Sequence, residues 1–423
     1  MTATGTKIGR TEMSKLHFDY KSLDELGLIS RGRSKHRPRD AAHLYGGKYP
    51  FIQTGDIKHA GLYLTQYSQT YSEAGLAQSK LWPAGTLCIT IAANIAETTI
   101  LGIDACFPDS VIGFIANDKL ADVHYIKYLF DSQLKRQYQQ YSQGVAQDNL
   151  SQEKLLSIKL PIPPLPVQRK IAAILTALDD KIALNKRIND KLEAMAKRLY
   201  DYWFVQFDFP DENGRPYKSS GGKMVWNETL KRKIPDGWEV KPLKHFASYR
   251  TDTTKSENAY NYVSTDNILP DKQGISDETI YPASGNIFQY KQNDILISNI
   301  RPYFKKIWFA SHCGTCSTDI LCIYSNQQQH NCYIYRTLWR DDFFDYVMQG
   351  AKGSKMPRGD KEHIMNYPIC YHNYLTNVLL KAFNNKCTVI QEMLYRNGNE
   401  TMRLTAIRDR LLPLLMNGQV EAI

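Results

Sequence analysis

The chain has 423 residues, of which 43% are hydrophobic and 23% are charged, and its formal net charge is +10 at pH 7. This length is sufficient for two or three domains, each with its own hydrophobic core. No apolar run approaches the ~18 residues of a membrane span, and the first ten residues lack the apolar core of a signal peptide. We therefore expect a cytoplasmic protein without a membrane partner, and the positive charge favours a polyanionic ligand.

The first half of the chain predicts a β-rich module. After a basic, turn-rich loop at 31–39, strand-like segments are expected at 49–57, 85–91 and 106–114. The apolar spacing then predicts a helix near 125–140. A polar loop leads from that helix toward a proline-rich run.

A long helix is predicted from this run, Pro163-Pro164-Leu165-Pro166-Val167-Gln168, to Phe204. Its apolar residues follow alternating four- and three-residue steps, which is the heptad seam of a coiled coil. The apolar seam residues are Ile171, Leu175, Leu178, Ile182, Leu192, Leu199 and Trp203. The two central seam positions are polar, Asn185 and Asn189.

The same order of elements recurs after residue 209. A stretch rich in Pro, Gly and Ser at 208–223 predicts an exposed connector, and further β segments and a helix near 333–347 follow it. A second seam then repeats the first at a constant separation of 212 residues, that of Ile171 and Phe383, with Asn397 and Thr401 at its polar positions. Its apolar members are Phe383, Cys387, Ile390, Leu394, Leu404, Leu411 and Leu415. Motif order and spacing agree at enough places to indicate duplication of the whole chain.

The duplication predicts an α+β fold. Two β-rich domains, at 1–159 and at 208–367 with the connector, alternate with two long helical regions at 160–207 and 368–423. We expect the helices to form an antiparallel coiled coil within the chain, related by pseudo-two-fold symmetry. In that pairing, Asn185 and Asn189 face Asn397 and Thr401, and buried polar pairs fix the register of a coiled coil. The alternative is two separate core helices.

The motifs of self-sufficient enzymes are not recognisable in the sequence. It lacks the adenosylmethionine loop and Asn/Asp-Pro-Pro-aromatic motif of a DNA methyltransferase, and it lacks the GxxxxGK[ST] loop of an ATPase. The letters of a PD…ExK nuclease occur at 235–241, but Asp236 and Glu239 are too close in sequence, so a turn before a strand is expected. Cys313 and Cys316 form the one CxxC; without a second pair at zinc spacing, structural thiols are favoured over a metal site.

Several motifs together carry a family resemblance. They are Pro163 to Gln168 before the first helix, Leu199-Tyr200-Asp201-Tyr202-Trp203-Phe204 at its end, Phe209-Pro210-Asp211-Glu212-Asn213-Gly214 in the connector, Ile234-Pro235-Asp236-Gly237-Trp238 after it, and Leu411 to Gly418 near the C-terminus. With these motifs the chain resembles, over essentially its whole length, the DNA specificity subunit of type I restriction–modification systems. One departure is Pro368-Ile369-Cys370-Tyr371-His372-Asn373, which stands where the first copy has its proline–glutamine run.

The resemblance implies a non-catalytic subunit that binds double-stranded DNA. Each of two target recognition domains reads one half of an interrupted site, and the helices set the spacing. It also implies two modification (methyltransferase) subunits docked on the helical regions, with restriction subunits joined to them. The resemblance places S-adenosylmethionine, ATP and Mg on those partner subunits and no cofactor in this chain. The alternative function is a coiled-coil scaffold that joins proteins without recognising DNA.

Basic residues near turns are the candidate phosphate contacts, because lysine and arginine bind phosphate independently of sequence. The candidates are Arg31, Arg33, Lys35, Arg37 and Arg39 in the first module, and Arg301, Lys305, Lys306, Lys352, Lys355 and Arg358 in the second. A solvated charged loop is the competing interpretation of each.

Side chains with paired donors and acceptors are the candidate readers of base edges. They are Gln53, Thr54 and Asp56 in the first module and Ser264, Thr265, Asp266 and Asn267 in the second, although the same residues could cap turns. Two further loops resemble a DNA-contacting loop of the family. They contain Gly144, Gln147 and Asn149 in the first copy, and Gly353, Ser354 and Arg358 in the second.

Overall fold

A computed structural model describes residues 18–92, 95–134, 151–276, 279–372 and 375–420. The chain divides into two compact units, the first comprising Met1–Lys186 with Asn399–Ile423, and the second Arg187–Gly398. Each unit therefore contains one β-rich module and part of both long helices. We call residues 18–162 the first module and residues 207–371 the second module.

The first unit is built from short strands and helices. Its strands are β1 (Asp19–Lys21), β2 (Gly27–Arg31), β3 (Tyr45–Phe51), β4 (Tyr63–Leu64), β5 (Gln69–Tyr71), β6 (Leu81–Trp82), β7 (Leu87–Thr90), β8 (Thr98–Leu101), β9 (Ala105–Cys106), β10 (Val111–Ala116) and β11 (Leu160–Ile162). Its helices are α1 (Thr54–His59), α2 (Glu73–Ala77), α3 (Val123–Leu129), α4 (Gln152–Ser157) and the first part of α5 (Leu165–Tyr200). A π-helical turn at Phe130–Leu134 extends α3.

The second unit repeats this construction. Its strands are β12 (Met224–Asn227), β13 (Arg232–Pro235), β14 (Glu239–Pro242), β15 (Ala247–Tyr249), β16 (Thr253–Lys255), β17 (Asn286–Tyr290), β18 (Ile295–Ser298), β19 (Ile307–Phe309), β20 (Gly314–Cys316), β21 (Ile320–Ser325) and β22 (Pro368–Tyr371). Its helices are α6 (Asn331–Leu338), α7 (Asp341–Gln349), α8 (Lys361–Met365) and most of α9 (Leu375–Met416), whose last residues belong to the first unit.

Four strands of the main sheet pair in the same order in the two modules, and the first module adds a fifth, β4. The first contains a sheet of order β2-β10-β7-β8-β4, and the second a sheet of order β15-β21-β18-β19. In both, all four residues of the central β7 or β18 are buried, which explains their continuous apolar sequences. The pair β1–β11, at the entry to the first long helix, corresponds to β14–β22 at the entry to the second. The duplication and the α+β class predicted from the sequence are confirmed.

The long helices pack into the cores of their own units. In the first unit, Ile171 and Leu175 of α5 and Leu415 and Met416 of α9 join the core of the five-stranded sheet. In the second unit the corresponding core includes Leu192, Tyr200, Trp203, Phe383 and Cys387 among others. The apolar seams therefore complete the modules as well as pairing with each other.

Polar side chains meet where the seams are interrupted. In the first unit the Asn185 side chain, which is fully buried, donates a hydrogen bond to Glu400 Oε2 (2.8 Å) and lies 3.4 Å from Thr401 Oγ1. In the second unit Asn397 Nδ2 donates to Asn189 Oδ1 (2.8 Å). Since position 185 meets 401 and position 189 meets 397, α5 and α9 run antiparallel. The structure thus shows the expected polar contacts, and their role in fixing the register stays a prediction.

Three predicted segments differ from the structure. The strand expected at 49–57 ends at Phe51, because the Asp56 carboxylate accepts a hydrogen bond from the Gln53 backbone N–H and caps α1. The helix expected at 333–347 is interrupted between α6 and α7. The prediction of an exposed connector at 208–223 is wrong for its first residues, since Phe209 is buried and stacks on Tyr217 and Trp238. Of the helix expected at 125–140, residues 135–140 lie outside the described residues.

In the described part of the chain, no helix is both long and apolar enough to cross a bilayer.

Candidate nucleic-acid interface

The loop that follows β18 contains two residues in the left-handed backbone region. Arg301 has φ 50° and Lys305 has φ 52°, a conformation that costs a non-glycine residue about 1–2 kcal/mol. The backbone is held there by hydrogen bonds from Arg301 N to Pro357 O (2.8 Å) and from Lys305 N to Pro302 O (2.9 Å). Surrounding structure therefore fixes this loop in one conformation.

Two further loops of the second module are attached to it. The loop at 352–358 is joined to it by an antiparallel bridge between Ile300 and Arg358. The turn at 264–267 is joined by a hydrogen bond from Lys306 Nζ to Thr265 O (2.5 Å). The structure thus brings together candidates that the sequence places far apart. They are Thr265, Arg301, Lys305, Lys306, Lys352, Gly353, Ser354, Lys355 and Arg358.

Several of these cations are paired within the protein. Lys305 and Lys272 both contact Asp341 Oδ1, at 2.6 and 2.8 Å, and these hydrogen bonds lower the pKa of Asp341 to about 2. Lys352 pairs with Asp360 (2.6 Å), which lowers the pKa of that carboxyl to about 2. Arg358 pairs with Asp319. Such exposed pairs leave room for exchange with a phosphate, because each contributes little to stability.

Arg301 and Lys355 differ from the paired cations. Both side chains are exposed, and within the described ranges neither has an ion pair or a side-chain hydrogen bond. Binding a phosphate would therefore break no ion pair of Arg301 or Lys355, whereas it would break one of Lys305, Lys352 or Arg358.

The predicted base reader Asn267 is buried instead. Its side chain is 3% exposed, accepts a hydrogen bond from Ser264 N (2.7 Å) and donates one to Tyr262 O (3.1 Å). The prediction of a base contact is therefore wrong for Asn267, which caps the turn. Thr265 is half-buried and Asp266 is exposed in the same turn.

The basic loop of the first module lies against the turn at 107–110. Arg39 contacts both carboxylate oxygens of Asp109 (2.8 and 2.9 Å), and Arg31 Nε donates to Asp109 O (3.0 Å). Gly32 makes the close approach possible, because a Cβ there would lie 2.4 Å from the carbonyl oxygen of Phe107. The side chain of Arg37 donates to Ser34 O (2.7 Å).

Arg33 and Lys35 are the exposed cations of that loop. Neither side chain has a hydrogen bond or an ion pair within the described residues. They correspond in this respect to Arg301 and Lys355 of the second module.

The first-module base candidates form a separate group. Gln53 is exposed and its side chain donates to Gln69 Oε1 (2.6 Å), and Thr54 is the first residue of α1. Among the described residues, no hydrogen bond or ion pair joins these two side chains to the basic loop. Gly144, Gln147 and Asn149 lie outside the described residues.

The motif before the first long helix has a structural role. Gln168 is 1% exposed, accepts from Asp122 N (2.9 Å) and donates to Leu120 O (3.1 Å) and Pro163 O (2.9 Å). Its amide therefore ties the start of α5 to the loop that precedes α3.

The residues whose sequence motifs resemble a nuclease or a zinc site make ordinary local contacts. Asp236 pairs with Lys223 (2.9 Å) and Glu239 with Lys241 (2.6 Å), in a turn between β13 and β14. The eight cysteines are free thiols, and burial raises the pKa of Cys316 to about 12. Within the described ranges, no cluster of three or more His, Cys, Asp or Glu is arranged to hold a metal ion.

Sequence reasoning missed two features of the second module. Tyr303 and Phe304 are exposed beside Arg301, and Arg250 and Asp294 form a buried bidentate pair (2.6 and 2.8 Å). The two aromatic residues flanked by basic residues at 301–306 could have indicated the exposed rings from the sequence. The buried pair gave no such signal, because its members are 44 residues apart.

Comparisons by sequence and by structure find subunits of type I restriction–modification systems. Residues 16–194 match the family model described as the type I restriction modification DNA specificity domain. The type I restriction enzyme MjaIX specificity subunit of Methanocaldococcus jannaschii is 23% identical, over 98% of this chain and 97% of that protein. The HindI specificity subunit of Haemophilus influenzae is also 23% identical, over 95% of this chain and 100% of that protein.

By sequence, the chain is similar to type I restriction enzyme specificity subunits, over nearly its whole length in these two relatives and over residues 16–194 in the family model. Among solved structures, the type I S subunit from M. genitalium superposes with a TM-score of 0.62 at 14% identity, covering 96% of this chain and 97% of that one. At this identity the likeness concerns the fold. It supports the fold of two β-rich modules and two long helices described above.

Proposed function

We propose that this specificity subunit binds double-stranded DNA and that each module reads one half of an interrupted site. The observation that carries the proposal is the repetition of one strand pairing in two modules, each with exposed unpaired cations on turns. Arg33 and Lys35 would contact phosphates of one half-site, and Arg301 and Lys355 those of the other. The remaining basic candidates would lie around these contacts, and Gly144, Gln147 and Asn149 stay predicted DNA contacts on sequence grounds.

The long helices would set the distance between the half-sites and dock two modification subunits. A duplicated chain offers two similar surfaces, so two copies of one partner can bind while the reading loops differ. Restriction subunits would join through the modification subunits. The chain itself would be non-catalytic and act in the cytoplasm, with S-adenosylmethionine, ATP and Mg used by its partners.

The decisive experiment is to map methylated adenines in DNA from cells that carry this subunit with its modification partner. We expect one bipartite motif with two fixed half-sites and a spacer of constant length. Methylation that ignores sequence, or a motif without a spacer, would contradict the proposal. A salt titration of duplex binding distinguishes the proposal from the scaffold alternative. When phosphate contacts drive DNA binding, the logarithm of the binding constant falls linearly with the logarithm of the salt concentration.

The polar centre of the coiled coil provides a test of spacing. Replacing Asn185 with leucine removes its hydrogen bond to Glu400 without removing volume from the seam. We expect the variant to fold but to hold its register less strictly, because a polar seam pair disfavours shifted pairings. The same motif map would then show spacers of more than one length. An unchanged single spacer would show that Asn185 does not fix the register.

A further inference from the structure

Two adjacent aromatic rings are exposed on the loop after β18. Tyr303 is 47% and Phe304 is 39% exposed, and their ring centroids are 4.7 Å apart. The residue before them, Pro302, is buried and anchors the segment. Exposed aromatic pairs are costly to leave in water, since ring burial is a major part of core energetics.

The backbone that displays the rings is held at both ends. Left-handed Arg301 and Lys305 flank the segment, and the carbonyl of Phe304 accepts a hydrogen bond from Asp271 N (2.9 Å). The carbonyl of Lys305 accepts another from Lys272 N (3.1 Å). A strained backbone that is fixed by its neighbours is a frequent property of functional loops. The backbone that carries the rings is therefore held in one conformation before any ligand arrives.

The charge around the rings indicates the ligand. Arg301 is an exposed cation beside them that has no ion pair within the described part of the chain, and Lys306 follows in sequence. Lys305 and Lys272 are both paired with Asp341. Asp271 and Asp345 also act on Lys305, so the four cations outnumber the three carboxylates by one. Apolar rings within a cationic rim fit a polyanion with flat faces, as base stacks have. An acidic protein surface would match the cations, but it would leave the rigid pair of ring faces without a specific partner.

We propose that Tyr303 and Phe304 form an aromatic wedge that stacks against, or inserts between, bases of the half-site bound by the second module. This inference rests on the DNA-binding function proposed above. Apolar side chains that enter a base step unstack it partly and bend the duplex, while flanking cations hold the adjacent phosphates. The second module would thus recognise the deformability of one base step as well as base edges.

The test uses the full chain assembled with its modification subunits and duplexes that carry the mapped motif. The probe is 2-aminopurine, placed in turn at each position of the second half-site, whose fluorescence rises when the base unstacks. The key variant is Tyr303→Ala with Phe304→Ala. Tyr303→Phe with Phe304→Tyr keeps both rings, and Trp226→Ala removes an aromatic residue that is 56% exposed elsewhere in the same module.

We expect one step at which the wild type raises the fluorescence, a signal that the double alanine variant loses and the ring-swapped variant keeps. The double alanine variant should also bind about 10-fold more weakly, with the same salt dependence, because stacking is lost while phosphate contacts remain. Trp226→Ala should match the wild type. Circular dichroism of each variant checks that the fold is unchanged.

Other outcomes overturn the inference in distinguishable ways. If DNA binds normally but no fluorescence signal depends on the two rings, the wedge is wrong and the proposed function stands. If the double alanine variant loses its modification subunits while DNA contacts are unchanged, the rings dock a protein. If the wild-type complex does not bind the duplex, the proposed function fails and the wedge fails with it.

Discussion

The connection from β7 to β8 and the connection from β18 to β19 join matching strands of the two modules but differ in sequence. The first, at 91–97, is Ile-Ala-Ala-Asn-Ile-Ala-Glu, with no aromatic or basic residue. The second, at 299–306, is Asn-Ile-Arg-Pro-Tyr-Phe-Lys-Lys. In the first connection Ile91 and Ala96 are buried, whereas in the second Arg301, Tyr303 and Phe304 are exposed. The modules therefore agree where strands pair and differ in what this connection presents to solvent.

The interiors of the modules also differ at one matched position. Asp294, just before β18, accepts two hydrogen bonds from Arg250, and this interaction raises the pKa of the guanidinium. The corresponding Thr86, just before β7, donates to Pro83 O (2.7 Å). A buried carboxylate paired with a partly exposed arginine thus stands where the other module has a neutral hydroxyl, so equivalent substitutions should affect the modules unequally.

The largest effect should come from the matched core positions Phe114 and Ile323. They pair with Leu87 and Ile295 in equivalent strands, and both are fully buried. We expect Phe114→Ala to destabilise the first unit by about 3–5 kcal/mol and Ile323→Ala the second by about 2–5 kcal/mol, through the cavities created. Hydrogen exchange, measured separately for the residues of each unit, gives both losses of stability. Equal acceleration of exchange in both units by either variant would show that the two cores unfold together.

The next largest effect should come from the buried pair. Asp294→Asn removes the charge of the carboxylate that Arg250 contacts most closely and leaves Asp252, at 3.7 Å, as its remaining ion pair. We expect a loss of about 2 kcal/mol in unfolding free energy. Thr86→Val is the matched control and should cost about 1 kcal/mol for its single hydrogen bond. Urea denaturation of both variants gives the comparison. If Thr86→Val cost as much as Asp294→Asn, the contrast between the interiors would be wrong.

A smaller effect concerns the exposed cations. Two double variants remove them, Arg33→Ala with Lys35→Ala and Arg301→Ala with Lys355→Ala. Each double variant should weaken DNA binding about 10-fold and reduce the slope of log affinity against log salt by about 2. Arg39→Ala should change the slope less, because Arg39 is already bound to Asp109. Filter binding over a salt series measures all three. A variant pair that leaves the slope unchanged does not touch phosphate.

The smallest effect is the pH dependence due to Asp341. Its pKa is about 2 in the folded protein against an ordinary value of 3.8, so its contribution is complete above pH ~4 and is lost as the pH falls toward 2. Since the carboxylate is 64% exposed, we expect it to contribute less than about 1 kcal/mol to the free energy of unfolding. The stability difference between wild type and Asp341→Asn should shrink across that pH range. If the difference did not change with pH, Asp341 would not be the source of the pH dependence.

The sequence predicted those features that depend on local periodicity. The heptad spacing located both long helices and the polar contacts near their centre, and the apolar runs located β7 and β18. It failed where a contact between distant residues decides the outcome. Phe209 is buried because it stacks on Trp238, and Asn267 is buried because its amide caps a turn.

The candidate site was predicted in part for the same reason. Composition identifies basic loops, and Arg301, Lys306 and Arg358 were found in this way. Composition does not indicate which cations are neutralised by a partner, as Lys305 is by Asp341. It also does not reveal left-handed backbone at a non-glycine residue, which depends on hydrogen bonds such as that from Arg301 N to Pro357 O.

The presence of Leu415 and Met416 in the core of the first unit has a consequence for biosynthesis. The second unit is one continuous segment, Arg187–Gly398, so all of its core residues have been synthesised before the last part of the chain. The first unit must wait for residues 415 and 416, although most of it is made first. Because domains fold as units during synthesis, the N-terminal module should be the last to reach its native stability on the ribosome.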